Sequence, residues 1–216
     1  MSMAWMRMPG QTWTAAAASF LGMWLLMMAA MMLPSLVPML WRYRRAAGAP
    51  SAARTIGLTT LVGGGYFFVW AAIGLAVFLM GVALTAFEMR VPLLARTTPI
   101  AAGAVVLLAG LLQFTAWKAH HLACTRESPM PGRRLQPDIL TAWRHGLRLG
   151  LHCSYCCIGM TSILLATGLM ELRTMALVTA AITLERLAPA SQRIARLIGA
   201  VTVIAGFVLL ARAAGG

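Results

Sequence analysis

The stretch Arg148–Met160 reads RLGLHCSYCCIGM and holds three of the four cysteines, at Cys153, Cys156 and Cys157. It continues without a break into an apolar run, so it predicts one helix at the entrance to a membrane. Successive residues of an α-helix turn by about 100°, so the three thiols and the thioether of Met160 fall within an arc of about 100° on one face. Thiolates and thioethers are soft ligands that favour Cu(I), zinc or iron–sulfur clusters.

The composition indicates a membrane protein. Of the 216 residues, 60% are hydrophobic and 11% are charged, whereas a soluble domain carries about 25% charged residues. We therefore predict an all-α, polytopic helical bundle in the lipid bilayer, with a single domain over residues 1–216. The net charge of +13 does not indicate nucleic-acid binding, because the basic residues cluster in short loops between apolar runs. Such clusters are topology signals and contacts for anionic lipid.

The apolar runs predict about six transmembrane helices. The first run is longer than the core of a signal peptide, and Pro34 and Pro38 rather than a cleavage site follow it, so we expect a retained helix. Pro34 lacks a backbone donor and is expected to disturb the end of this helix. The fifth run is the weakest, because Arg173 and Glu185 enclose only 11 residues free of charge; without it the total is five. The approximate spans are 13–33, 55–80, 99–117, 148–168, 172–187 and 194–211.

The distribution of basic residues predicts the orientation. With six spans, 13 of the 18 Lys and Arg residues fall in loops 42–54, 118–148 and 186–196, all on one side of the membrane. The positive side is cytoplasmic, so we expect a multi-pass protein of the inner (plasma) membrane with both termini outside. The segment Lys118–Cys124 and the cysteine stretch then share the cytoplasmic side and can converge.

Two groups of side chains form the predicted metal site. His121 and Cys124 are three residues apart, and Cys153 and Cys157 are four apart, so each pair can reach one centre from a helix face. A tetrahedral site needs four N or S ligands, and two from each group suffice. The predicted ligands are Cys124, Cys153, Cys156, Cys157, His121, His152 and Met160, with His120 in reserve.

The bland alternative is that membrane cysteines are small apolar residues. A Cys-x-x-Cys-Cys run opposite a His-x-x-Cys run favours ligation or redox chemistry instead. Arg144 and Arg148 are near in sequence and are expected to favour the thiolate forms. Met23, Met27 and Met31 stack on one face of the first helix, where gap filling is the favoured interpretation and a thioether track for a soft metal is the alternative.

Two further expectations concern packing and charge. The run Gly63–Gly65 predicts a close helix approach or a local distortion in the second span. Glu185 lies in an apolar segment, where a lone carboxylate costs on the order of 2.5–3.5 kcal/mol. We therefore expect it to have a charged partner, with Lys118 and Arg148 at the same level of the membrane, and an interfacial position in water is the alternative.

Four stretches carry a family resemblance. They are the Met-rich MMAAMMLPSLVP of Met27–Pro38, Gln113 five residues before Lys118, Cys153-x-x-Cys156-Cys157, and Leu184-Glu185-Arg186. Together, over about residues 27–188, they resemble a bacterial family of predicted metal-binding integral membrane proteins of unknown function. Some members are thought to help deliver copper to tyrosinase-like oxidases. The family tends to have Glu-Lys in the fourth stretch, and a Cys where this chain has His121.

The sequence favours a membrane protein that handles Cu(I), as a chaperone or assembly factor for a copper enzyme, with zinc as the alternative metal. We expect a binding protein rather than an enzyme. Two alternatives stay open: a membrane thiol–disulfide redox protein, and an accessory subunit of a larger membrane complex. The many methionines, 16 in total, favour Cu(I) over zinc, because thioethers contribute little to zinc binding.

Overall fold

The computed structural model describes residues 10–46, 51–90, 92–126, 138–167 and 172–214. Helices make up nearly all of these ranges and no strand occurs in them, which confirms the predicted all-α bundle. Residues 127–137 of the predicted arginine-rich loop, and Gly168 at the predicted end of the fourth span, lie outside the described residues. The helices are α1 (Trp13–Ala46), α2 (Ala52–Arg90), α3 (Pro92–Leu112), α4 (Ala116–Arg126), α5 (Ile139–Thr167), α6 (Leu172–Leu187) and α7 (Ser191–Ala214).

Within the described ranges, four helices are long and apolar enough to cross a membrane: α1, α2 up to Phe87, α5 and α7. Helices α3 and α4 form a fifth candidate. Together they are long and apolar enough to cross a membrane, but the chain bends by 67° between Leu112 and Ala116. Helix α6 has 16 residues, fewer than the about 20 that a span normally needs. The structure therefore gives four or five candidate spans, against the six or five that we predicted.

Two helices are longer than predicted. Helix α1 continues to Ala46 with Pro34 and Pro38 inside it, although Pro34 was expected to disturb its end. Prolines are tolerated within apolar helices when neighbouring helices and side chains satisfy the freed backbone groups. Helix α2 continues to Arg90, where we expected a connecting loop, and Pro92 opens α3. Proline suits the first position of a helix, since that position needs no backbone donor.

Small residues bring α2 against α5, as the glycine run predicted. A side chain on Gly65 would place its Cβ 2.9 Å from the carbonyl oxygen of Trp143, and one on Gly146 would overlap the carbonyl oxygen of Val62. At Gly63, by contrast, nothing lies within 4 Å. The close approach puts Tyr66 of α2 beside the cysteines of α5, so the glycines position the candidate site.

The core unites sulfur-bearing side chains from two helices. A single buried cluster contains the three cysteines and Met160 of α5 together with four methionines of α1. We call Met27, Met28, Met31 and Met32 the methionine stripe. Met23, which the sequence placed on the same face, is only half-buried.

Candidate metal site

Helix α5 presents its cysteines to the protein interior. Cys153, Cys156 and Cys157, here called the thiol cluster, are 0%, 3% and 1% exposed. Met160 is buried on the same face, as the helical spacing predicted. All four cysteines of the chain are free thiols, and the sulfur atoms of Cys156 and Cys157 are 3.7 Å apart. The bundle therefore buries three free thiols, which are soft donors, without using them as structural cross-links.

Cys153 has a different environment from its two neighbours. Its sulfur lies 2.8 Å from the hydroxyl of Tyr66 on α2 and 4.0 Å from the thioether sulfur of Met32 on α1. Cys153 thus connects the thiol cluster to the methionine stripe. Three helices meet at this one sulfur atom, which fixes its position within the core.

A guanidinium group lies against the thiol cluster. Arg186 of α6 is 3% exposed, and its Nη2 donates to the sulfurs of Cys156 and Cys157 and to the carbonyl oxygen of Cys153, each at 3.5 Å. Its Nη1 donates to Ser35 Oγ at 3.2 Å. The sequence reasoning missed this contact and assigned the neighbouring cation to Arg144 or Arg148, which are exposed. The available signal was an arginine next to a glutamate in an otherwise apolar helix.

Glu185, the residue before Arg186, has the charged partner that we expected. Its Oε2 lies 2.8 Å from the Nζ of Lys118 on α4, and both side chains are buried. Lys118 also donates to the Oε1 of Gln113, which lies in the break between α3 and α4. Glu185 and Arg186 therefore face different neighbours, and the pair anchors the end of α6 between α4 and α5.

The second predicted group lies nearer the surface. His121 of α4 and His152 of α5 share a hydrogen bond between their Nδ1 atoms at 3.1 Å. Cys124 Sγ is 3.6 Å from the Nε2 of His120, one turn earlier on α4. We call these four residues the outer cluster. The rings of Trp117 and Tyr155 pack on His121, with centroids 4.8 and 5.0 Å away.

The contact between the predicted ligands of α4 and α5 is made by two histidines, and both belong to the outer cluster. We expected Cys124 to lie close to the thiol cluster, whereas the hydrogen bonds of the described residues join Cys124 to His120. The link between α4 and α5 is formed by His121 and His152 instead. In the described ranges, no group of three or more His, Cys, Asp or Glu side chains is already arranged to hold a metal ion. The donors contact one another two at a time. They form an outer group that contains the histidines and an inner group of thiols.

The donor set of the inner group fits a soft, low-coordinate ion. Thiols from α5 and thioethers from α1 and α5 share one buried core, and a basic side chain lies beside them. Thiolate and thioether ligands select Cu(I), and a neighbouring cation stabilises the thiolate form. The outer histidines are harder donors that suit several divalent metals as well.

Comparison with known proteins identifies a family. A family model described as PpoB2, copper chaperone, matches residues 21–209. This range includes the methionine stripe, both clusters and the Lys118–Glu185 pair. Neither the curated proteins nor the solved structures contain a match to the chain.

Proposed function

Because the chain belongs to the PpoB2 copper chaperone family, we propose that it captures Cu(I) with the thiol cluster and delivers the ion to a copper enzyme. Copper is then the cargo of the protein and not a resident cofactor. One observation supports this more than any other: the sulfur of Cys153 contacts the sulfur of Met32, so thiols and thioethers form a continuous buried group. Such sulfur groups are chemically suited to Cu(I).

The burial of the donors supports a direction of transfer. The outer cluster is partly exposed, whereas the thiol cluster and the methionine stripe are both buried and touch at Cys153 and Met32. Copper is proposed to meet the outer histidines and Cys124 first, to be captured by the thiol cluster with Met160, and then to pass along the stripe. Neutral thioethers bind Cu(I) more weakly than anionic thiolates, so they suit release rather than capture.

We place the protein in the bacterial inner membrane, with the outer cluster and the thiol cluster towards the cytoplasm and both termini outside. The long apolar helices support insertion in a membrane. The orientation counts α6 as a sixth crossing, which places the basic loops 42–54, 118–148 and 186–196 on one side. The recipient is a copper enzyme or another membrane subunit, reached from the far end of the methionine stripe.

Metal analysis of protein purified without oxygen in mild detergent tests the proposal. The wild-type chain is expected to hold one Cu(I) in preference to zinc, and a variant with Ser at all three positions of the thiol cluster to hold none. Cys124→Ser is the matched control, because it removes one thiol from the outer cluster and leaves the buried three. If the triple variant keeps one copper per chain, the capture site lies elsewhere.

Thiol–disulfide redox chemistry is the second candidate, and the burial of three free thiols on one face of α5 favours it. Each thiol of a redox protein alternates between free and oxidised forms, whereas a copper ligand stays reduced. Counting free thiols in copper-loaded protein after the ion is removed by a chelator separates the two. Recovery of all four thiols supports copper capture, and recovery of two indicates a disulfide.

A further inference from the structure

A buried cation lies where the proposed cargo would also bring positive charge. The Nη2 of Arg186 is at the same distance, 3.5 Å, from the sulfurs of Cys156 and Cys157. The hydroxyl of Ser35 and the carbonyl oxygen of Cys153 hold the guanidinium in this place from two other helices. An ion bound by these sulfurs therefore lies within a few ångströms of a charge that the protein cannot remove by deprotonation.

We propose that Arg186 determines the charge of the ion that the thiol cluster accepts, and that it selects monovalent over divalent soft cations. This inference rests on the proposed function and adds the reason why the site prefers Cu(I). The guanidinium repels a divalent ion twice as strongly as a monovalent one at the same position. The attraction between the guanidinium and the thiolates is the same whichever ion is bound, so it does not change the ratio of the two binding affinities.

Arg186 shifts the relative affinity for monovalent and divalent ions in the same direction for any number of bound thiolates. For any number of thiolates, Arg186 adds one positive charge to the buried complex, and net charge is costly in a low-dielectric interior. Two thiolates with a monovalent ion carry one negative charge, which Arg186 neutralises. Two thiolates with a divalent ion are already neutral, and Arg186 then gives this group of charges a net positive charge.

The surroundings of Arg186 support a role at the thiols. Its neighbour Glu185 is 2.8 Å from Lys118 on α4. The three thiols and the hydroxyl of Tyr66 are among the ionisable groups around the guanidinium. A buried arginine beside soft donors, rather than at the membrane surface, is what selection by charge requires.

The size of the effect follows from Coulomb's law. One additional unit charge at about 4 to 8 Å from the guanidinium, in a medium of effective dielectric constant about 20, changes a binding constant by about 30- to 1000-fold. Water penetration and small movements reduce this value. We therefore expect the preference for Cu(I) over Cd(II), both of which bind thiolates, to fall by at least about tenfold when the charge is removed.

Competition titrations of the full chain in detergent, without oxygen, test the inference. Cu(I) is buffered by a chromophoric Cu(I) chelator, and Cd(II) is followed by its thiolate absorption. Arg186→Gln is expected to lower the ratio of Cu(I) to Cd(II) affinity by at least about tenfold, and Arg186→Lys to keep it near the wild-type value. Arg173→Gln is the matched control, because Arg173 is on the same helix but exposed. Arg186→Leu replaces the Gln variant if the latter does not fold, since an apolar side chain can substitute for a buried charge.

The outcomes separate this inference from the proposed function. If the wild-type chain binds no Cu(I), the proposed function fails. If it binds Cu(I) but the ratio in both neutral variants stays within about threefold of the wild type, Arg186 has only a structural role and the inference is overturned. An equal increase in affinity for Cu(I) and Cd(II) in the neutral variants would show that Arg186 hinders the binding of any cation instead of selecting among them. This result also overturns the inference.

Discussion

Replacing Glu185 by Gln leaves Lys118 as a buried cation without its carboxylate. In the wild-type chain the two charged atoms are 2.8 Å apart, with side chains that are 2% and 6% exposed. Removing one partner of such a pair costs about 3–5 kcal/mol, because the other charge stays buried. Gln113 also accepts a hydrogen bond from Lys118 and compensates in part, so we expect a loss near the lower limit, about 3 kcal/mol.

A double-mutant cycle measures this loss. The free energy of unfolding is determined by denaturant titration in mixed micelles for Glu185→Gln, Lys118→Met and the double variant. Each single variant is expected to be destabilised, and the double variant to be more stable than either, since it buries no unpaired charge. A loss below about 1 kcal/mol for Glu185→Gln, within the range of exposed ion pairs, would refute the assignment of a buried pair.

Three further predictions concern packing, accessibility and transfer. Gly146→Ala should destabilise the bundle by about 1–3 kcal/mol because its Cβ overlaps a carbonyl oxygen of α2, whereas Gly63→Ala should not, and thermal unfolding in detergent compares them. Cys124 should react with maleimide in the native protein well before the buried thiols, as mass spectrometry of quenched samples would show; equal rates for all four would contradict the burial. Met32→Leu should slow copper transfer to an external chelator without reducing capture, while the exposed control Met80→Leu should have no effect. A Met32→Leu variant that transfers copper at the wild-type rate would exclude Met32 from the path.

Local periodicity accounts for what the sequence predicted well. The angular spacing of the cysteines placed them on one face with Met160, and the structure buries that face. The glycine run predicted a close helix approach, which the structure has between α2 and α5, and the cost of a lone carboxylate predicted that Glu185 has a charged partner. Each of these follows from helix geometry or from the energetics of one buried group, which are readable within a short segment.

Long-range packing accounts for the differences. The contact of Arg186 with the cysteines depends on how the end of α6 docks on α5 and α1, and no spacing within α6 encodes that position. Helix α4, which follows the 67° bend after α3, is joined to α5 by the hydrogen bond between His121 and His152. Pro34 was expected to disturb the end of α1, but packing against neighbouring helices keeps the helix continuous.

X-ray absorption at the copper edge of the Cu(I)-loaded protein is the most direct test of capture by the thiol cluster. Copper bound by Cys153, Cys156 or Cys157, with or without a methionine, should be surrounded by sulfur alone. The spectrum should be unchanged in a variant with Ala at His121 and His152, because these histidines belong to the outer cluster. Nitrogen ligands in the wild-type spectrum that disappear in that variant would contradict the account and place the bound copper at the outer cluster.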